Sequence, residues 1–221
     1  MQMTNFSRLL ALFALCAIFV VGAWMGGPAN SFDVAVSDWM VGVRHSHPQL
    51  TSLVAVLTQL GSFYMTLGLG LLASALVAMR GRRAAAMLLA ATVIVERLSV
   101  DGMKLAIGRP RPDLELAPFM PTSFSFPSGH SANSMAVFTA IALFALPPAW
   151  RRPALAVAIG FSILIGMTRV FLGVHWTSDV IGGWAWGLLV TTLALWAGRR
   201  SAAIEAEHDV VRRHLPPARQ D

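Results

Sequence analysis

Six apolar runs follow one another through the chain, roughly Leu9–Met25, Leu53–Met79, Ala84–Ile107, Ser131–Leu146, Ala154–Leu172 and Val174–Trp196. A helix that crosses a bilayer needs about 20 mostly apolar residues. Only structures that satisfy every backbone N–H and C=O internally can span the hydrocarbon core. The expected fold is therefore all-α: a six-transmembrane helix bundle in one membrane domain, residues 1–196, followed by a polar cytoplasmic tail, residues 197–221. The third and fourth runs fit least well. The third carries Glu96, Arg97, Asp101 and Lys104 in its second half, and the fourth is short unless Ser128 to His130 join its first turn.

Composition agrees: 56% of residues are hydrophobic and 13% are charged, where about 25% charged is usual in a soluble domain. The mean hydropathy is +0.63. The single cysteine, Cys16, lies in an apolar run, so the chain has neither an intramolecular disulfide nor a thiolate metal cluster. The net charge of +6 does not point to nucleic acid. Eleven of the 17 Lys and Arg residues are Arg8, Arg80, Arg82, Arg83, Arg151, Arg152, Arg199, Arg200, Arg212, Arg213 and Arg219, a pattern suited to anionic headgroups. Positively charged loops stay in the cytoplasm, which places both termini inside. Arg44, Lys104, Arg109, Arg111 and Arg169 are left on the outer side. Trp24, Trp39 and Trp176 are then expected near the outer boundary and Trp150 and Trp196 near the inner one, with Trp184 and Trp186 packing between helices.

That topology brings the chemically interesting residues to one surface. Lys104 and Arg169 end outward-running helices, while His130 and the His175/Asp179 pair begin inward-running ones. Residues four apart share a helix face, so Asp179 is expected to orient His175 and stabilise its cationic form, leaving the other ring nitrogen to act as a nucleophile. The same spacing also suits a structural pair closing a helix end. Pro127, Ser128 and Gly129 suit a loop entering a helix whose free N–H groups favour an anion, and His130 is placed to act as general acid. In the plainer reading Ser128 is an N-cap. Lys104, Arg169 and either Arg111 or Arg109 would clamp phosphate oxygens; alternatively, each long side chain snorkels to the interface. Arg97 and Asp101 are expected to form a supporting ion pair on an inward face of the third helix.

Together, KLAIGRPRP (Lys104–Pro112), FPSGH (Phe126–His130) and TRVFLGVHWTSD (Thr168–Asp179) resemble the signature of the type-2 phosphatidic acid phosphatase superfamily, K-x6-RP, PSGH and SR-x5-H-x3-D. The first spacing selects Arg111 over Arg109. Thr168 stands where the family has Ser and keeps the hydroxyl. The resemblance implies a phosphatase needing no metal or cofactor. His175 would attack phosphorus, His130 would protonate the leaving group, and Lys104, Arg111, Ser128, Gly129 and Arg169 would hold the phosphate. The apolar runs favour the membrane lipid-phosphatase branch over soluble acid phosphatases and vanadium haloperoxidases. Undecaprenyl pyrophosphate is the first expected substrate, followed by phosphatidylglycerophosphate, phosphatidic acid and lipid A phosphates. The expected location is a bacterial inner membrane with the site facing the periplasm. A transporter or scaffold does not need a His/Asp pair beside PSGH, and a secreted phosphatase does not need five further apolar runs.

Overall fold

The computed structural model describes residues 5–112 and 121–214. Every regular element among them is helical: α1 (Asn5–Met25), α2 (Ser31–Ser46), α3 (Pro48–Leu57), α4 (Phe63–Met79), α5 (Arg83–Ile107), α6 (Gly129–Ala140), α7 (Pro148–Phe171) and α8 (Thr177–His214). A 3-10 turn, Thr58–Gly61, separates α3 from α4, and a π turn, Ile141–Ala145, finishes α6. The run Leu53–Met79 is therefore two helices, not one. Ser62, extended at ψ 157°, redirects the chain between them. The helix α2 was not among the expected elements at all, because its mixture of charged and apolar residues does not read as a span.

Among the described residues, three helical stretches are long and apolar enough to cross a membrane: Pro48–Met79, Pro148–Phe171 and Thr177–Arg199. The apolar part of α1, Leu9–Met25, is shorter. The charged residues noted in α5 weaken it as a span on composition, and α6 has only 12 residues. Large apolar side chains such as Phe13, Leu98 and Val157 are each more than two-thirds exposed, a surface that water would not tolerate and lipid would. The protein is thus an integral membrane protein. Residues 197–214 of the expected tail continue α8, whose 38 residues extend about 57 Å, beyond the roughly 30 Å of hydrocarbon; residues 215–221 lie outside the described part.

Packing fixes where the helix ends lie. On α5 the inward stripe is Leu89, Val93, Glu96, Val100 and Lys104. Its three- and four-residue spacing is that of one helix face. Leu89 and Val93 meet Val137, Ala140 and Phe144 from α6 and its π turn. The Arg97–Asp101 pair forms at 2.9 Å, but on the flank of this stripe, partly exposed, with Arg97 stacked 4.4 Å from the Phe63 ring. The inward face expected for that pair belongs to Glu96 instead. On α8, Gly183 and Gly187 face the α6 backbone so closely that a Cβ would lie 2.7 Å from Ser128 O and Ala132 O respectively. Only glycine permits this approach, which presses the start of α6 against the start of α8. As expected, Trp184 and Trp186 pack inside, donating to Ser162 O and Ser99 Oγ. At the opposite end, Arg82 donates to Ala145 O and Arg151 to Leu146 O.

Candidate active site

The helix α5 ends at Gly108, and the Arg-Pro-Arg-Pro segment that follows sends its two arginines in different directions. Arg109, 5% exposed, turns behind the His/Asp pair, where its guanidinium donates to Asp179 Oδ1 (2.7 Å), Ser178 Oγ (3.1 Å), Gly22 O and Ala23 O (2.6 Å each). It also stacks 4.4 Å above the ring of Phe126, itself fully buried. Arg111 turns the other way. It donates to Val174 O at 2.5 Å, to Ser123 O at 2.8 Å and, through Nη1, to His175 Nε2 at 3.0 Å.

Between these two guanidinium groups lies the pair the sequence singled out. His175 Nδ1 is 3.3 Å from Asp179 Oδ2. The same oxygen accepts from Trp176 N (2.9 Å) and from Ser125 Oγ. With Arg109 on Oδ1, every side of the buried carboxylate is satisfied, as a buried charge must be. The carboxylate accepts at Nδ1 and the guanidinium donates at Nε2, so the network selects the Nδ1–H tautomer with the Nε2 lone pair facing Arg111. Burial, reinforced by Arg111, Lys104, Arg169 and His130, holds this ring well below the ordinary histidine pKa. The contact at Nδ1 lets Asp179 set the orientation and tautomer of the ring. Burial also lowers Arg111 to about 10, which leaves it charged at neutral pH.

The other expected residues arrive at the same end. Lys104 Nζ donates to Phe124 O (2.7 Å) and Ser125 O (3.3 Å). Arg169, 3% exposed, donates from Nη1 to Thr58 Oγ1 (3.1 Å), which also accepts from Thr168. Ser128 is at the N-cap of α6, yet its side chain makes no capping bond; its Oγ accepts from Ser131 and its N–H donates to Asp179 O at 3.0 Å. That last bond ties the PSGH turn to the His/Asp helix. Gly129 opens α6, and a Cβ placed there would meet only Val100 and Lys104, at 3.9 and 4.0 Å. His130 follows, within the fields of Arg169, Arg111 and Lys104. Among the described residues, Lys104 and Arg111 are held by carbonyls rather than by carboxylates. The charge of Arg111 is oriented but not cancelled.

Three contributors were not anticipated. Ser125 and its neighbours supply the carbonyls that aim Lys104 and Arg111, but nothing in SFSF distinguishes this segment from an ordinary loop. Thr58 looked like part of a continuous span. Asp33, 1% exposed on α2, accepts from Ser178 N (2.9 Å) and Ser178 Oγ (2.5 Å). Trp176, expected in the lipid-facing belt, is instead buried, with Nε1 donating to Pro110 O, because the turn that carries His175 folds it inward. Two apolar grooves lie outside the cup, the cluster of Lys104, Arg111, His130, Arg169 and His175 at the starts of α6 and α8. One of about 640 Å³ runs between α4, α6 and α7 beside Trp150, and one of about 360 Å³ lies between α1, α2 and α8.

The PAP2 superfamily model matches residues 81–202, more than half of the chain. The chain belongs to the PAP2 superfamily. Curated relatives include phosphatidylglycerophosphatase B of Bacillus subtilis, 34% identical over 167 residues that cover 73% of this chain and 80% of the relative. Lipid A 1-phosphatase of Rhizobium johnstonii is 45% identical over 43% of this chain and 41% of the relative. Undecaprenyl-diphosphatase of Sulfolobus acidocaldarius is 37% identical over 34% of each. The crystal structure of a transmembrane PAP2-type phosphatidylglycerolphosphate phosphatase from Bacillus subtilis superposes with a TM-score of 0.77 at 31% identity, covering 86% of this chain and 96% of that one. This chain is accordingly a membrane PAP2 phosphatase, a class whose relatives named here act on lipid phosphates.

Proposed function

We propose that this PAP2 protein hydrolyses a lipid phosphate through a phosphohistidine, without a metal. The observation that carries the reading is the His175 ring, fixed at Nδ1 by Asp179 while Nε2 opens toward Arg111 and the fields of Lys104 and Arg169. A phosphate entering the cup takes over the Arg111 Nη1–H now directed at Nε2, which frees the lone pair. Nε2 then attacks phosphorus, the P–O bond to the lipid breaks, and His130 passes its proton to the departing oxygen. The incoming phosphate's negative charge, set among the cations, favours the protonated form of His130 that this step needs. In the second half His130 takes a proton from water, whose oxygen attacks phosphorus and releases His175 and inorganic phosphate. Lys104, Arg111, Arg169, Ser128 and the Gly129 N–H hold the phosphoryl oxygens, since preorganised donors are worth most where charge develops. A Cβ at Gly129 would make only ordinary contacts, with Val100 and Lys104, so packing does not require a glycine there and close approach of a phosphate to its N–H supplies a reason for one.

The length of the match to the phosphatidylglycerophosphatase favours a glycerolipid phosphomonoester, phosphatidylglycerophosphate first, with undecaprenyl pyrophosphate as the second reading. We place the cup at the outer, periplasmic level of a bacterial inner membrane, with α1, α5 and α6 completing six spans around it. Detergent-purified protein is expected to release phosphate from phosphatidylglycerophosphate in EDTA, with a higher kcat/KM than for undecaprenyl pyrophosphate. His175→Ala should abolish release while the protein stays folded. Activity surviving that substitution removes the nucleophile, and activity lost in EDTA but restored by a metal removes the mechanism.

A further inference from the structure

The helix α2 lies outside the stretch that the superfamily model matches, and its two buried residues, Asp33 and Arg44, are both charged. Meanwhile Phe32 and Trp39 on the same helix are more than 60% exposed. Burying a charge is costly unless it is well bonded, so hydrophobic gain alone does not account for how this helix docks. The two positions are three turns apart, which puts them on the same face, and both bond to one short segment. Arg44 Nη1 donates to Phe171 O at 2.7 Å, where α7 ends. Asp33 accepts from Ser178 N and Oγ, where α8 begins, and its Oδ2 also takes Gly27 N at 2.7 Å. Between these grips the chain turns at Gly173, φ +69°, so close beneath the guanidinium that a Cβ would lie 2.3 Å from Arg44 Nη1. His175 is at the centre of the segment held. Ser178 in turn accepts from Arg109, the residue bonded to Asp179.

We infer that α2 is a clamp on the nucleophile turn: Asp33 and Arg44 are positioning residues that fix the two ends of the segment 171–178 and so aim His175 Nε2. They touch neither the ring nor the phosphate cup; they act by holding the backbone that carries the ring. A displacement of about 1 Å at a reacting atom can cost about a hundredfold in rate, while substrate affinity, set by Lys104, Arg111 and Arg169, stays nearly unchanged. The clamp rests on the catalytic role proposed for His175, but its mechanical part can be read independently of catalysis.

The test uses the full chain in detergent, with a short-chain glycerolipid monophosphate as probe, and compares Asp33→Asn, Arg44→Met and Arg44→Lys. Asp33→Asn and Arg44→Met should each lower kcat by roughly tenfold to a hundredfold, with KM within about twofold of the parent. Arg44→Lys, which can still reach Phe171 O, should recover most of the loss. Hydrogen exchange at the amides of residues 174–179 should be faster in the two damaging variants. Should either fail to fold, Ser178→Ala removes one of Asp33's bonds without removing a charge and should show the same faster exchange. Unchanged exchange in a folded variant overturns the clamp, as does kcat within about twofold of the parent in both. If the parent protein hydrolyses no lipid phosphate, or His175→Ala keeps activity, the phosphatase reading falls while exchange alone still decides the clamp.

Discussion

Arg109 and Arg111 share a charge and a proline-bounded segment, yet their surroundings assign them opposite tasks. Arg109 is consumed in bonds to Asp179, Ser178 and two α1 carbonyls, whereas Arg111 reaches the open nitrogen of His175. Arg109→Met leaves a buried carboxylate without its charged partner, which costs about 3–5 kcal/mol; a thermal melt in detergent should show the loss. Arg111→Lys, by contrast, removes a two-pronged donor and should cut the rate by about a hundredfold with the melt nearly unchanged. If the melt fell for Arg111→Lys and not for Arg109→Met, the assignments would be reversed. The choice between the two arginines was not legible from charge or local composition; it came from the motif spacing, and only the fold shows what Arg109 does instead. His175 makes a separate prediction. Burial lowers its pKa most, and the basic groups Arg111, Lys104, Arg169 and His130 add to that effect, against the carboxylate of Asp179 among the described residues. The folded state therefore refuses a proton that the unfolded chain accepts near 6.5, so this residue's contribution to stability falls as pH drops through that value. An imidazole NMR titration, with the His175 signal assigned by its loss in His175→Gln, should show a neutral Nδ1–H ring at pH 6. A midpoint at or above 6.5 would contradict the charge arrangement.

At the scale of helices, the site depends on how closely α6 and α8 approach. Gly187 lies against Ala132 O and Ala136 N, backbone atoms that cannot rotate aside. Gly187→Ala should separate the two helices and pull Ser128 away from Asp179, costing about 1–3 kcal/mol of stability as overpacking does and reducing activity as well. Gly160→Ala on α7, where a Cβ meets nothing within 4 Å, should leave activity intact and tighten the helix slightly. Equal behaviour of the two variants in melts and assays would show that the α6/α8 contact does not set the site. The helices that carry the motifs were legible because apolar length marks α7 and α8 directly, and the charged end of α5 and the PSGH start of α6 are both short, dense signals. The elements that support them were not. The break at Thr58–Gly61 interrupts an apolar run with no charge or proline to announce it; Thr58 Oγ1 there accepts from Arg169 and Thr168, and Gly61 packs against Ile165, contacts that only the fold reveals. The carbonyls of Ser123–Ser125 that aim the cations are backbone groups, which every sequence possesses, so residue type carries no trace of them.

For the molecule as a whole, the direction of each helix ties the cup to one face and the basic loops to the other. The chain reaches the cup at the end of α5, leaves along α6, returns on α7 and leaves again on α8. Arg82, Arg83, Arg151, Arg152 and Arg199 accordingly lie at the far end, two of them bonded to the carbonyls that close the π turn of α6. A membrane protein inserts with such residues in the cytoplasm, and a surface crowded with arginine is drawn to anionic headgroups there. The continuous α8 carries this orientation outward: its length exceeds the hydrocarbon thickness, so residues beyond Trp196 emerge on the arginine side. A phosphatase and fluorescent-protein reporter pair fused after Asp221 should therefore report the cytoplasm, while the same pair inserted after Gly27, beside the cup, should report the exterior. Agreement between the two fusions in the opposite sense would turn the enzyme around and give it lipid phosphates of the inner leaflet as substrates. Reversing charge at Arg82, Arg83, Arg151 and Arg152 together should weaken the preference measurably, because positively charged loops favour the cytoplasm.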